Sequence, residues 1–592
     1  MLLQALVERS RAEAAGSTAT ALPRFYKLQR VGYRLDLDSA GFPVSFQPAH
    51  DPVTPSLGAE LSIPYVRRAS GIQPLPVDRG DYVFGIPVKG KAGDDNEKSA
   101  KRAQRAADSH ASFVALIERA AEATQDNALA AIHQFLHDHL GNVTVPDDFD
   151  PSRFVAIFVD GKFFPADEVF QEWWASYSLG SQAPRLDSPL RYCAVCGEAA
   201  NPVETVSMPI AGLTSIGGKA GMGLVTGNSH VFERHGMERA SGASLCQVCG
   251  NDSHRALNAL IADPNRSRTL GHTKILWWAT AECEDLLAAI VQGDSDESVG
   301  SLIDSLRNGK AALVPAAARF YAVTIGANVN RVVIRDWLDT ALGDVVRNIV
   351  RWIERIEVVD HEGMKVRHPG IFSLLASVSP PGSGSPLSRI SPLLGDKVLQ
   401  AALSGSPLPH ALLDQCLLRI RAEQGMITVP RAALLKAFLS DGHLQEVSME
   451  KLDPDADDVA YRCGRLLAVL DDAARAATSA KNDLVDRSYA AASTTPAVTF
   501  PRLLKLHRAH INKLRRDKPG AANRIQATVE GVMAGLTDIP RLFSPTEQAR
   551  FALGLYHQQA ADRAARTSAM VHKTLDEQAD TAESDTDEEE QE

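Results

Sequence analysis

Two short stretches constrain this chain more than any others: YCAVCGE at 192–198 and LCQVCGN at 245–251. Each sets two cysteines around a two-residue gap with a glycine after the second, giving Cys193 and Cys196, then Cys246 and Cys249. The whole chain holds only seven cysteines. The 49 residues between the pairs must then form a loop whose ends return to one point. Two CxxC pairs supply the four thiolates of a tetrahedral structural zinc site. A filled four-thiolate shell leaves no position for a catalytic water, so the expectation is a staple for a loop-rich insert. Each CxxCG should form a knuckle with backbone amides aimed at sulfur and the glycine relieving the turn. A redox dithiol pair or incidental reduced cysteines are the alternatives. His254 is a spare ligand that four cysteines make unnecessary. Cys283, Cys416 and Cys463 stand isolated in apolar surroundings and read as core.

At 592 residues the chain is too long for one core, and about three to five units are expected. With 44% apolar and 23% charged residues, it has the composition of a soluble globular protein. No apolar run approaches the roughly 18 residues of a membrane span. The N-terminus, MLLQALVERSRAEAA, lacks a basic n-region and a cleavage site, so it does not read as a signal peptide. The expected compartment is cytoplasmic, where paired cysteines more often bind metal than form disulfides.

The net charge of −11 is concentrated at one end. Residues 571–592 carry ten acids and one lysine and read as a disordered acidic tail. Basic charge is clustered too. FPRLLKLHRAHINKLRRDKPGAANRIQ (500–526) holds eight Lys or Arg and one Asp. Leu503, Leu504, Leu506, Ile511 and Leu514 fit a loose helical stripe. Arg502, Lys505, Arg508, Lys513, Arg515 and Arg516 then project outward, either as an ordinary solvated face or as a phosphate-contacting one. EKSAKRAQR (97–105) is a second basic cluster, with Lys101 and Arg102.

The expected fold class is α+β: a mixed α/β N-terminal body with a zinc-knuckle insert, followed by a C-terminal helical bundle. Residues 1–190 form the body, with short strands and turns to about 90, helix over 98–140 and two strands about the Asp160-Gly161 turn. Residues 191–255 are the insert with its glycine-rich loop. Residues 256–395 continue the body, with TKILWWATAE (273–282) leading from a strand into a helix and ARFYAVTIGANVNRVVIRDW (318–337) strand-like. Residues 396–570 are helical, including a bundle over about 450–570, and 571–592 are the tail.

Several enzyme look-alikes fail. GLTSIGGKA (212–220) imitates a phosphate loop, but Gly218 stands where lysine belongs and no Ser or Thr follows Lys219. His137-Asp138 lacks the further ligands of a two-metal nuclease, and HQFLHDH reads as structural. No nucleophile, general-base pair or dinucleotide fingerprint emerges, so the expectation is a binding protein, not an enzyme. A zinc-stapled RNA-binding or RNA-processing enzyme is the alternative.

Segments spread along the chain resemble the large subunit of type I-C CRISPR surveillance (Cascade) complexes. They are YVRRASGI (65–72), DYVFG (81–85), GLVTGNSHVFERHG (223–236), ILWWA (275–279), RFYAVTIGANVNRVVIRDW (319–337), ALLKAFLSDG (433–442), GRLLAVLDDA (464–473), DRSYAAASTTPAVTFPRLLKL (486–506) and FALGLYHQQ (551–559). Two complete CxxCG pairs suggest a metal-retaining branch. The resemblance implies a non-catalytic subunit at the foot of a guide-RNA complex. It would recognise a short protospacer-adjacent motif in duplex target DNA, help open the duplex and recruit a helicase-nuclease, while guide RNA reads sequence by pairing. The C-terminal bundle would lie along the displaced strand, beside the other Cascade subunits. Arg67, Arg68 and Ser70 are the first motif-reading candidates, and Lys219 and Asn228 the second, with Gly217, Gly218 and Gly221 letting backbone approach DNA. The resemblance also implies a separate small subunit made by internal translation, starting at Met449 or, as the second choice, Met426.

Overall fold

The computed structural model describes the chain except residues 16–21, 52–57, 67, 69–70, 91–95, 147, 182–189, 220, 228–229, 234–236, 282–316, 329–330, 441–449, 479–483, 537 and 590–592, and the side chains of 15, 181, 232 and 571–589. It is mixed α/β with small sheets and a helical C-terminal region. The described chain divides into two compact units: Met1–Ser267 with Gly326–Val333, and Arg268–Ile325 with Ile334–Glu592.

The first unit opens with a helix, Leu2–Ala15, where strands and turns were expected. Leu6, Val7 and Ser10 are buried on one face, a helical spacing that its charged half obscures. A mixed four-stranded sheet follows. Tyr33–Leu37 lies between Pro43–Pro48, antiparallel, and Phe154–Val159, parallel, and Asp78–Arg79 pairs with the last of these. Tyr33, Leu35 and Leu37 alternate inward, as the strand period requires. Helices Asn96–Thr124 and Asn127–Gln134 bury Phe113, Leu116, Ile117, Leu129 and Ile132 in the same core as that face, each such side chain contributing about 1.5–3 kcal/mol. Asp126 caps the second helix through the amides of Ala128 and Leu129. Asp160 and Gly161 have positive φ, as the Asp-Gly turn predicts, but only an isolated Val159–Lys162 bridge follows and the second strand does not form.

Ser267–Leu270, Thr273–Ala279, Arg319–Asn328 and Arg331–Ala341 make a four-stranded sheet, most of it in the second unit, with Ser267 and Gly326–Val333 counted in the first. Leu270, Ile275, Trp277, Phe320 and Ala322 share one core with the helices that follow. The strands read as continuing the N-terminal body therefore pack with the helical region. The bridge is helix Leu342–Ile356, whose Val345, Ile349, Trp352 and Ile356 are buried at spacings of three and four. Helices Val459–Ala477 and Pro545–Glu589 cross closely. A Cβ on Gly464 would stand 1.9 Å from the Phe551 carbonyl oxygen, and one on Gly554 would stand 2.1 Å from that of Tyr461. Each helix thus supplies the glycine the other needs. Asp471, fully buried, accepts the amides of Leu484 and Val485 at 2.7 and 3.2 Å and so caps helix Leu484–Ala492.

Candidate metal centre and nucleic-acid surfaces

The four knuckle cysteines converge, with all their Sγ atoms within 4.8 Å of one another. The first knuckle is a small hairpin, Arg191–Tyr192 pairing antiparallel with Ala199–Ala200. Gly197 N–H donates to the Cys193 carbonyl at 2.9 Å, and Gly197 adopts φ +76°, which only glycine takes without strain. The second knuckle is built differently. Cys246 caps helix Gln247–Ala262, and its sulfur accepts the Cys249 amide. Gly250 is helical there, and a Cβ would stand 3.1 Å from Val206. The second glycine serves close packing rather than a turn.

Backbone amides do point at sulfur. Cys193 Sγ accepts from Val195 N–H at 3.5 Å and Cys246 N–H at 3.4 Å. Burial opposes the Cys193 thiolate, but these amides and that of Cys196 outweigh it and bring the thiol down to about 6. Burial pushes Cys246 up to about 11 and raises Cys249 as well. Four adjacent thiols ionise together only when a cation is present to hold them. Cys196 and Cys246 sulfurs lie 3.9 Å apart, close to the roughly 3.8 Å edge of a tetrahedron with 2.3 Å metal–sulfur bonds. That is far beyond the roughly 2.05 Å of a disulfide. The donor set fits a metal ion.

Helix Gln247–Ala262 carries this corner of the fold. Asn251, Asp252, Ser253, His254 and Arg255 are all buried, and each is bonded. Asn251 accepts the Met208 amide at 3.0 Å, and Asn258 accepts that of Ala211 at 3.0 Å and donates to the Pro209 carbonyl. His254 donates from Nδ1 to the Met208 carbonyl at 2.5 Å and accepts the Leu224 amide at Nε2, 3.3 Å, so it pins a loop and is no ligand. On the other side Arg255 grips Ser10 and the Leu22 carbonyl. Asp252 pairs with Arg24 and Arg255.

The glycine-rich loop is thereby held, its ends joined by the Ile210–Met222 bridge. Lys219 is exposed on it. Gly217 and Gly221 have positive φ and open space around them, whereas Gly218 is enclosed by Met222 and Leu213. Arg68 turns inward: it pairs with fully buried Asp78, donates to the Gln73 carbonyl at 2.7 Å and stacks 4.2 Å over Tyr82. Its guanidinium is thus engaged in a structural ion pair. Arg67, Ser70, Asn228, Met449 and Cys283 lie outside the described residues, as do the side chains of the acidic tail.

The sequence reading overlooked Lys27. Its Nζ stands 4.0 Å over Tyr65, and burial, then Arg68, brings its ammonium down to about 8. The alternation in KLQRV gave no sign of it, since it would turn Leu28 inward, yet Leu28 is exposed and Lys27 half-buried.

Arg502, Lys505, Arg508, Lys513, Arg515 and Arg516 are all exposed on helix Pro496–Asp517. No carboxylate among the described residues pairs with any of the six. Leu503, His507, Ile511 and Leu514 form the buried stripe, while Leu506 is 43% exposed. His507 fills the place the leucine pattern assigned to Leu506. Lys101 is exposed and pairs with Glu97 at 2.6 Å. Arg102 is half-buried.

A family model described as CRISPR-associated protein (Cas_Csd1) matches residues 3–562. The chain belongs to that family. No curated protein matches the chain. Membership makes it a CRISPR-associated Cascade subunit, consistent with the large subunit of type I-C complexes, and one that works with other Cas components and guide RNA. GRLLAVLDDA and FALGLYHQQ, two of the runs that carried the resemblance, are the two sides of the glycine crossing.

The histidines of HQFLHDH face aromatic neighbours. His137 packs its ring 4.6 Å from His133 in a π-helical turn, and His139 stacks on Phe42 at 3.9 Å. Among the described residues the four cysteines are the one group of three or more ligand side chains placed to hold an ion. Cys416 and Cys463 are fully buried. No helix among the described residues is long and apolar enough to cross a membrane.

Proposed function

We propose that the chain is the large, non-catalytic subunit of a type I-C-like surveillance complex, binding duplex DNA at a short adjacent motif and stabilising the opened strands. The observation that carries this reading is the exposed basic face of helix Pro496–Asp517, whose six cations pair with no carboxylate among the described residues, on a chain of this family. Each phosphate such a face neutralises releases counterions. The loop carrying Lys219 is held on the rigid helix Gln247–Ala262, the kind of support that reading a groove requires. The ion in the cysteine cluster is zinc, in a structural role: four thiolates fill its coordination shell. Recruitment of a helicase-nuclease and a second product from Met449 belong to the same proposal.

The test is a gel-shift titration of guide-loaded complex reconstituted with and without this chain, on matched duplexes with and without the motif. Tight, motif-dependent binding only with the chain is the expected result. Equal binding without it, or cleavage of guide precursor by the chain alone, would overturn the reading.

A further inference from the structure

We propose that the N-terminal helix Leu2–Ala15 is the outer wall of the metal centre and that Arg11 is a positioning residue for it, turned to a cysteine sulfur rather than to nucleic acid. Val7, Ser10 and Arg11 lie three and four positions apart and share one face. Val7 is 2% exposed and sits in the same apolar cluster as Cys193, Cys246 and Cys249. Arg11 Nη2 donates to Cys249 Sγ at 3.9 Å. Ser10 is gripped from the opposite side: Arg255 Nε reaches its hydroxyl at 2.9 Å and Nη2 its carbonyl at 3.0 Å. Arg255 stands on the helix whose first turn holds Cys246 and Cys249. The N-terminal helix and the second knuckle are therefore clamped together at two points.

A divalent ion with four thiolates carries a net charge of −2. Burying that charge is costly unless cations and N–H donors face it. Cys249 is fully buried, and Arg11 brings a permanent cation to it, so the contact becomes a charge-assisted hydrogen bond once the thiol is ionised. Linkage makes the effect reciprocal. An ion in the cluster tightens the N-terminal helix, and the docked helix slows loss of the ion.

The inference rests on the cysteine cluster holding zinc, so the first measurement is zinc per chain in the unaltered full-length protein. Zinc release to a chromogenic chelator is then timed for Arg11→Ala, Arg11→Lys and, as a control at another exposed residue of the same helix, Glu8→Gln. Release should quicken about 10- to 100-fold in Arg11→Ala, less in Arg11→Lys, and stay unchanged in Glu8→Gln. Hydrogen exchange of residues 2–15 in the unaltered chain, with and without chelator, needs no variant, and protection there should fall when zinc is removed. A chain without zinc would overturn the metal reading. Zinc present with unchanged release, or unchanged protection after its removal, would overturn the role of the helix and leave the metal reading standing.

Discussion

Helices Gln247–Ala262 and Pro496–Asp517 are both rich in polar residues, and they use them in opposite ways. The first buries Asn251, Asp252, Ser253, His254 and Arg255 and satisfies each of them inside the protein. The second buries an apolar stripe and holds six cations in water with no carboxylate among the described residues to pair with them. Buried polar groups are costly unless bonded, so a fold that keeps them uses them as joints. Exposed, unpaired cations add little to stability and remain available to an anionic partner. The contrast separates architecture from the proposed binding surface, which residue type alone does not.

The largest expected effect lies at the joint. Cys249→Ser should bring bound zinc to near zero by elemental analysis and abolish the cooperative unfolding of the first unit, since structural zinc contributes about 10–16 kcal/mol in isolated fingers. Retained zinc with an unchanged transition would break the assignment of that helix as a metal-anchored joint. Arg255→Ala should come next. It leaves the Ser10 hydroxyl without its guanidinium donor and Asp252 with Arg24 alone, and should cost about 1–3 kcal/mol in denaturant unfolding.

His557 extends the contrast to the second unit. It is fully buried, bonds the Tyr461 hydroxyl at 2.9 Å through Nδ1, and has no partner at Nε2 among the described residues. Burial, then Lys436, brings it down to about 3. The folded state thus holds His557 neutral while the unfolded chain protonates it near 6.5. That contribution is complete above about pH 6.5 and is lost as pH falls toward 3, by up to about 1.4 kcal/mol per pH unit. Unfolding of His557→Gln should lose this part of the acid dependence. An identical pH profile would show that His557 takes up its proton in the folded protein as it does in the unfolded chain.

The metal corner was legible because CxxCG spacing is a local geometric demand, and the outward cations because a stripe of apolar residues implies its opposite face. The four sulfurs and all six cations stand where the spacing placed them. What stayed hidden follows from burial. Helix Gln247–Ala262 is covered on nearly every side and so shows no amphipathic period. His254 and Arg68 look like ligand or base readers until their partners, Met208 and Asp78, arrive from far along the chain or from a separate turn. The leucine count favoured Leu506, but the helical angle belongs to His507. Gly197 and Gly250 look alike in sequence and differ in φ because one ends a hairpin and the other sits inside a helix.

The most direct test of the division between joint and surface is a triple variant, Arg502→Gln with Lys505→Gln and Arg508→Gln, in the guide-loaded complex. Thermal unfolding and duplex affinity would be followed across a range of salt. The account predicts unfolding unchanged within about 0.5 kcal/mol and a plot of log affinity against log salt that is shallower by about 2–3. A lower unfolding midpoint with an unchanged salt slope would contradict it, and would make the basic face another joint of the fold.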